Sequence, residues 1–396
     1  MRLSSPALRP SGASLFRVPH FSPALLATLF ALLAEATGGS FMLLLAVQRA
    51  HMSPVELTIF LTASAATGIL VTTLFGHLHD RKPRLWPLFV ALGAKVAGYL
   101  VCATLTDPWV LIAVGTLLLG PSSASFALLF AMAKGYLDRT GGPVVARGMA
   151  ALRLASSLGW AIGPAIGAVL VASWSFAGLF FGAALVGVAA LLTVLFSRLS
   201  VVAADQTERP HLPRSVLFAV APAVIALTAF HTAMFMGSNG MSVVVASELG
   251  READVGWLFS LCAALEVLVM GVFVIRSPER GSGALLLLGF ALFAAYFAVL
   301  LFWPTLLSFY LAQILRAAAI GIVSIVGMAH IQGLLPGRAG AASALFGNTM
   351  SAGALLSGSL TGTLAGAFGY WSIFTACAAL CVAGALLVLV PVPKAR

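Results

Sequence analysis

Apolar stretches long enough to cross a bilayer follow one another along almost the whole chain of 396 residues. About 20 residues of helix cross a hydrocarbon core of about 30 Å, and we count twelve such stretches. They cover residues 22–47, 55–75, 85–105, 109–133, 146–171, 174–197, 218–243, 255–275, 283–302, 304–331, 339–367 and 371–392. Helices satisfy their own backbone hydrogen bonds in lipid, and the alternating pattern of a membrane barrel is absent from the sequence. Because 61% of its residues are hydrophobic, the chain is predicted to be an all-α membrane protein with twelve transmembrane helices.

The basic residues predict how these helices are oriented. Of 22 Lys and Arg, 17 fall at one set of helix ends, and only Arg49 and Arg251 fall in loops at the other. Basic loops stay in the cytoplasm, so both termini are predicted to be cytoplasmic. Arginine (18) far exceeds lysine (4), which indicates a GC-rich bacterial genome and hence the bacterial inner membrane. The net charge of +10 is spread over short loops and does not predict nucleic-acid binding.

A weak internal repeat divides the chain. Gly76 is followed five residues later by Arg81, and Gly271 is followed five residues later by Arg276, a shift of 195 residues. This shift is close to half the chain and predicts two halves of six helices each. The predicted boundaries are a cytoplasmic N-terminal tail (1–21), an N-terminal half (22–197), a cytoplasmic linker (198–217), a C-terminal half (218–392) and a C-terminal tail (393–396).

The stretch GHLHDRKPR, residues 76–84, places unusual charge between the second and third apolar stretches. It resembles the Gly-x-x-x-Asp-Arg-x-x-Arg core of the loop between helices two and three of the major facilitator superfamily. That resemblance implies two pseudo-symmetric six-helix halves. We interpret the stretch as a gate: Gly76 permits close helix packing, Asp80 accepts from a helix end or an arginine, and Arg81 and Arg84 bind acids or helix ends of the other half. The alternative is a basic anchor that only sets topology.

The stretch GWAIGPAIG, residues 159–167, marks the fifth helix. Pro164 lacks an N–H group and is predicted to bend the helix. Gly159, Gly163 and Gly167 form a small-residue stripe for close helix packing. The pattern resembles a motif of the exporter branches of the same superfamily, although ordinary packing also explains it.

Five charged residues lie inside apolar stretches, where a charge is costly and usually faces a cavity: Glu35, Lys95, Arg153, Glu266 and Arg316. The family resemblance implies that helices 1, 4, 7 and 10 line a central cavity, with helices 2, 5, 8 and 11 beside it. Lys95 on helix 3 is expected to be structural or to extend toward the interface. Glu266 and Arg316 form either a functional pair or a static clamp. The predicted substrate site comprises Arg153, Trp160, His231, Asn239, Glu266, Gln313 and Arg316.

Two acids are candidates for proton coupling, Glu35 and Glu266. Glu35 has no base within one turn of its own helix, so desolvation favours its neutral form and suits it to carry a proton. Arg153 or Lys95 on another helix would oppose this by stabilising the carboxylate. Glu266 is the rival, and a partner such as Arg316 would hold it ionised.

Several segments are similar to the bacterial sugar efflux transporters: LRLASSLGWAIGP (152–164), ASELG (246–250), LE (265–266), GIVSIVGM (321–328) and GLLPGRAGAA (333–342). The resemblance implies export of sugars or glycoside-like compounds by alternating access, driven by the proton gradient. Arg153 and Glu266 stand at positions that match the family. Glu35 and Arg316 do not, and an acid that family members can carry on helix 7 is missing near Asn239.

These features favour a proton-coupled sugar exporter. The alternative is a multidrug antiporter for lipophilic compounds, since 26 Phe and 11 Met are available to line an adaptable pocket. A membrane-embedded enzyme is disfavoured, because the sequence has no paired-histidine metal motif, phosphate-binding loop or nucleophile elbow. We therefore expect no catalytic residue, metal or cofactor. The expected partners are a small-molecule substrate, protons and membrane lipids, and the protein is expected to be monomeric.

Overall fold

The computed structural model describes residues 15, 18–81, 84–139, 143–197, 199, 214–275, 282–335 and 338–390. Every regular element within these ranges is helical. We number twelve helical segments in them: α1 (Phe21–Arg49), α2 (Pro54–Arg81), α3 (Trp86–Thr104), α4 (Pro108–Asp138), α5 (143–173), α6 (176–196), α7 (214–248), α8 (Glu252–Ile275), α9 (Ser282–Phe302), α10 (Leu306–Leu334), α11 (Ala339–Phe368) and α12 (Trp371–Val388). The predicted N-terminal tail and linker lie mostly, and the C-terminal tail wholly, outside the described residues.

The helices have the lengths that a bilayer requires. Among the described residues, ten helices are long and apolar enough to cross a membrane. One of them, Arg147–Phe196, spans most of α5 and all of α6. We divide it into two helices because the backbone leaves the helical region at Trp174 (φ −134°, ψ 18°) and Ser175 (φ 62°, ψ −172°). The long helix α11 is outside that set of ten. The all-α membrane class is confirmed, and the number of twelve crossings stays a prediction.

The small-residue stripe on α5 packs against α1. A Cβ added at Gly163 would lie 2.6 Å from Ala36 Cβ, and one at Gly167 would lie 2.7 Å from Phe41 Cε2. These distances are too short for any side chain, so glycine is required for the approach of the two helices. Pro164 lies between the two glycines, and the backbone keeps helical dihedral angles through it. The helix is interrupted further along, at Trp174 and Ser175.

The internal repeat is visible in the helix geometry. Helices α1 and α7 both end in a single π-helical turn, Leu45–Arg49 and Val244–Glu248. Helices α4 and α10 both contain one, Gly115–Leu119 and Val323–Gly327. Such turns are rare and cluster at functional sites. Their recurrence six helices apart is the structural counterpart of the sequence repeat.

The two halves pack together at the end of the bundle where α1 ends and α2 begins, which we call the far end. There α11 lies against α2, and a Cβ added at Gly358 would lie 3.0 Å from the Leu61 carbonyl carbon. Similarly α8 lies against α5, where a Cβ at Gly256 would lie 2.8 Å from Ala168 Cβ. In two equivalent halves, α2 corresponds to α8 and α5 corresponds to α11. The α2–α11 and α8–α5 contacts are therefore related by the pseudo-symmetry.

The other end of the bundle, where α1 begins and α2 ends, we call the basic end. Within the described part of the chain, a Cβ added at Gly76, Gly271, Gly333 or Gly347 would meet no atom within 4 Å. These glycines lie on α2, α8, α10 and α11, the helices that contact or neighbour the other half. Among the described glycines, those whose added Cβ would touch the other half all lie at the far end.

Candidate functional site

A cavity of about 510 Å³ lies between the two halves. Its walls come from α1, α5, α7, α8, α10 and α11. Ligand pockets usually have volumes of about 300–1,000 Å³, so this cavity is large enough for a small organic molecule. Five of the seven predicted substrate-site residues line it: Trp160, His231, Asn239, Glu266 and Arg316.

Arg316 is the buried cation of this cavity, with only 4% of the residue exposed. Its Nη2 donates to Ser238 Oγ at 2.6 Å, and its Nη1 donates to Met241 Sδ at 3.3 Å and to Gln313 Oε1 at 3.4 Å. The guanidinium carbon lies 5.3 Å from the centre of the Phe259 ring, within the range of a cation–π contact. All of these partners are neutral.

Gln313 is buried behind Arg316 and does not line the cavity. Its amide nitrogen donates to Phe309 O at 3.0 Å, one turn earlier on α10. Its amide oxygen is thereby turned toward Arg316. Gln313 thus orients the guanidinium in this conformation, and its predicted direct role in binding stays a prediction.

Glu266 on α8 is the second charged residue of the cavity. In the described part of the chain its carboxylate makes no hydrogen bond and no ion pair, and it is not paired with Arg316. The pair predicted as an alternative is therefore absent from this conformation. The two opposite charges line the same cavity without a direct contact and attract each other across it.

Hydroxyl and amide groups form much of the remaining polar surface. Ser156, Ser238 and Ser242 line the cavity, and each donates to the backbone carbonyl one turn earlier at 2.7–2.9 Å. Their oxygens keep lone pairs to accept from a ligand. Asn239 donates to Thr361 Oγ1 on α11 at 3.3 Å and leaves its amide oxygen without a hydrogen bond in the described residues. This surface suits a ligand rich in hydrogen-bond donors.

His231 reaches the cavity from α7 but mainly joins α7 to α11. Its Nδ1 lies 3.1 Å from Thr349 Oγ1, and its ring packs edge-on against Phe346 at 5.4 Å between centroids. Burial and these contacts fix the ring in place. His231 therefore contributes a wall of the cavity and holds two helices together.

Arg153, Gly76, Arg81 and Arg84 lie outside the cavity. Arg153 is exposed on α5, one turn toward the basic end from Ser157, which does line the cavity. Gly76 and Arg81 lie at the end of α2, and Arg81 and Arg84 are exposed. The Asp80 side chain is outside the described residues. The predicted contacts of the gate with the other half therefore stay a prediction, and Gly76 has no close neighbour in this conformation.

A second cavity of about 780 Å³ adjoins the first and shares Gly39, Phe235 and Met350 with it. Glu35 lines this second cavity and forms an ion pair with Lys95 on α3. The Lys95 amine also donates to Ala31 O at 3.4 Å. The exposed fractions of the side chains are 3% for Lys95 and 35% for Glu35. Lys95 thus does not extend to the membrane–water interface. It is the base on another helix that stabilises the Glu35 carboxylate, a possibility that the sequence could not decide.

Sequence reasoning missed several lining residues. Ser40, Ser157, Ser242 and Ser324 are small polar residues within apolar helices, and each of them lines the first cavity. Their signal in the sequence was their spacing. Ser242 lies one turn after Ser238, and Ser157 lies one turn after Arg153. Residues one turn apart share a helix face, so Ser157 was detectable from the predicted site residue Arg153.

An all-helical membrane bundle whose two halves enclose a cavity with both polar and apolar walls has the architecture of an α-helical membrane transporter. The family model of the Major Facilitator Superfamily matches residues 24–273, more than half of the chain, and the chain belongs to that family.

Relatives along the whole chain carry related descriptions. The chain is 36% identical over 374 residues to a putative sugar efflux transporter of Deinococcus radiodurans, covering 92% of this chain and 96% of the relative. It is 31% identical over 357 residues to sugar efflux transporter A of Dickeya chrysanthemi, covering 85% and 86%. It is 28% identical over 343 residues to sugar efflux transporter A of Escherichia coli, covering 84% and 86%.

Solved structures support the fold. The nucleoside transporter NupG superposes with a TM-score of 0.74 at 14% identity, covering 93% of this chain and 98% of that chain. A POT family transporter bound to a thioalcohol-conjugated peptide superposes with a TM-score of 0.77 at 13% identity, covering 93% and 95%. The predicted all-α membrane fold of the major facilitator kind is confirmed, and the count of six helices in each half stays a prediction.

Proposed function

We propose that this protein exports sugars or glycoside-like compounds across the bacterial inner membrane by proton-coupled alternating access. The observation that carries the proposal is the cavity of about 510 Å³ between the halves, whose polar groups include Arg316, Glu266, Asn239 and six serines. Such a surface offers many hydrogen-bond partners to a hydroxyl-rich ligand. The descriptions of the relatives as sugar efflux transporters support the same substrate class.

The packing of the halves supports alternating access. The far end is closed by the glycine contacts of α11 with α2 and of α8 with α5, and by a hydrogen bond of 3.3 Å from Gln48 to Ser247. The positive-inside bias assigns the basic end to the cytoplasm, so we assign this conformation to the cytoplasm-facing state. In the opposite state, Gly76, Asp80, Arg81 and Arg84 close the basic end. We propose that the halves comprise 22–197 and 218–392 and act as one monomer.

Of the two acids proposed for proton coupling, Glu266 is the first candidate. Lys95 pairs with Glu35, and a neighbouring positive charge stabilises the ionised carboxylate. Glu266 faces the central cavity without an ion-pair partner in the described residues, so it is freer to exchange a proton with the ligand space. Glu35 remains the second candidate, acting through its pair with Lys95.

The apolar part of the cavity favours a second candidate function, export of lipophilic compounds. Trp160, Phe235, Phe259, Met234 and Met350 line the same space. Aromatic and methionine side chains adapt to varied apolar ligands. The polar groups on α7 and α10 favour the sugar.

A ligand-stability screen on the purified protein separates the two functions. A ligand that binds the folded state raises the unfolding temperature. Sugar export predicts shifts with hexoses or glycosides and none with lipophilic cations, and the reverse result would support the second candidate. Efflux is then measured in proteoliposomes with an imposed pH gradient, where collapse of the gradient must stop accumulation if protons drive transport.

A further inference from the structure

We infer that the ligand of the central cavity is a sugar acid, a hydroxyl-rich molecule with a carboxylate, and that Arg316 binds this carboxylate. The inference rests on the proposed function and narrows its substrate class. It follows from the absence of an ion pair at Arg316 within the described residues, from the contrast with the buried Lys95, and from the acceptor groups that line the same cavity.

The guanidinium of Arg316 keeps donors for a ligand. It carries five N–H groups and stays charged at any pH that a protein meets. Three hydrogen bonds are made, to Ser238, Met241 and Gln313, and all three acceptors are neutral. Two N–H groups are left at a residue that is 4% exposed and lines the cavity. Two parallel N–H groups of an arginine match the two oxygens of a carboxylate.

A purely structural arginine would have a counter-ion at this depth, because an uncompensated buried charge is costly. Lys95 illustrates the structural case in the same bundle, since it is equally buried and pairs with Glu35. Arg316 instead has aromatic neighbours, with ring centres 5.3 Å away for Phe259 and 6.0 Å away for Tyr296. These rings stabilise a cation without neutralising it, and Glu266 attracts it only across the cavity, so the guanidinium is open to direct contact with an anionic group of the ligand.

The rest of the cavity defines the other part of the ligand. Glu266 and the amide oxygen of Asn239 are acceptors, and the lining serines Ser238 and Ser242 already donate to their own helix. Hydroxyl groups of a sugar supply the donors that these acceptors require. A sugar acid therefore fits with its carboxylate toward Arg316 and its hydroxyl groups toward Glu266 and Asn239.

Three hexoses that differ mainly in charge test the inference: glucuronate (negative), glucose (neutral) and glucosamine (positive). Dissociation constants are measured by titration calorimetry on the purified protein in detergent. We expect glucuronate to bind at least about tenfold more tightly than either other sugar, the gain of one charge-assisted bidentate contact. Equal binding of glucuronate and glucose, or tighter binding of glucosamine, would overturn the inference.

The variant Arg316→Gln is expected to abolish the preference for glucuronate while changing glucose binding less than about threefold. Arg316→Lys keeps the charge but not the planar fork, so it is expected to retain part of the preference. The control Arg147→Gln removes a positive charge from an exposed residue of α5 outside the cavity and is expected to leave all three constants unchanged. A preference that survives Arg316→Gln would overturn the inference. If that variant does not fold, the wild-type series and Arg316→Lys still decide it.

The result also distinguishes this inference from the proposed function. Binding of glucose and glucuronate with equal strength rejects the acidic substrate and leaves sugar export standing. Binding of lipophilic cations without any hexose rejects both.

Discussion

The buried ion pair between Glu35 and Lys95 gives the sharpest quantitative prediction. Breaking a buried pair from one side leaves an uncompensated charge and typically costs about 3–5 kcal/mol. The variant Glu35→Gln leaves the Lys95 ammonium in a site where its side chain is 3% exposed. Because the lost carboxylate was 35% exposed and therefore partly hydrated, we expect the lower end of that range, about 3 kcal/mol.

The reverse variant is expected to cost less. In Lys95→Met an apolar chain of similar length replaces the lysine, and Glu35 is left facing a cavity in which water can solvate it. We expect a loss of about 1 kcal/mol. The double variant removes both charges and is expected to lose only about 1 kcal/mol, so the coupling between the two positions is about 3 kcal/mol.

The assay is a double-variant cycle of the free energy of unfolding, measured by denaturant titration in mixed detergent micelles. Lys134 and Asp138 provide a matched control, since they form an ion pair of 2.7 Å whose side chains are 58% and 42% exposed. The same cycle there is expected to give a coupling of about 0.5 kcal/mol or less. Losses that simply add at Glu35 and Lys95 would refute the reasoning, because they would mean that the two charges do not stabilise each other.

Three further predictions concern transport. Glu266→Gln is expected to stop accumulation driven by a pH gradient in proteoliposomes while preserving downhill exchange; normal accumulation would transfer the proton site to Glu35. Gly362→Val is expected to speed the labelling of cysteines introduced at the far end, because the added Cβ would lie 2.7 Å from Pro54 O on α2. The control Gly347→Val is expected to have no effect, since no atom lies within 4 Å of its added Cβ. Equal labelling in both variants would contradict the assigned closure of the far end. Asp80→Asn is expected to increase the labelling of a cysteine placed at position 347 and to slow export, and unchanged labelling would reduce the 76–84 stretch to a topology signal.

The fold could be predicted because a bilayer constrains the sequence strongly. A helix that crosses lipid is about 20 residues long and apolar, so the apolar pattern predicts where it begins and ends. The stretch predicted at 283–302 is found as Ser282–Phe302. The gap predicted between 171 and 174 lies beside the break at Trp174 and Ser175. Only α11 gives a weak signal, because its many Gly, Ser and Thr residues serve packing against α2 and reduce its apolar character.

The site was predictable in part for a similar reason. A charge or an amide within an apolar stretch must face polar space, and that rule found Glu266, Arg316 and Asn239. It does not give the rotation of a helix about its axis. One helical turn separates Arg153, which lies outside the cavity, from Ser157, which lines it. The difference depends on how α5 is placed along its axis against α1, which no local pattern specifies.

Which charges pair is the property that the sequence could least determine. The sequence pattern favoured Glu35 as an acid without a partner, because no base lies near it on its own helix. It also suggested an ion pair between Glu266 and Arg316. In the folded chain the arrangement is reversed: α3 brings Lys95 to Glu35, and Arg316 is occupied by neutral groups of α7. An ion pair depends on the relative depth and rotation of two helices that are distant in sequence. This reversal moves the first candidate for the proton site from α1 to α8, onto the same cavity as the ligand. A carboxylate that shares a cavity with its substrate couples the two directly, because protonation changes the charge that the ligand meets.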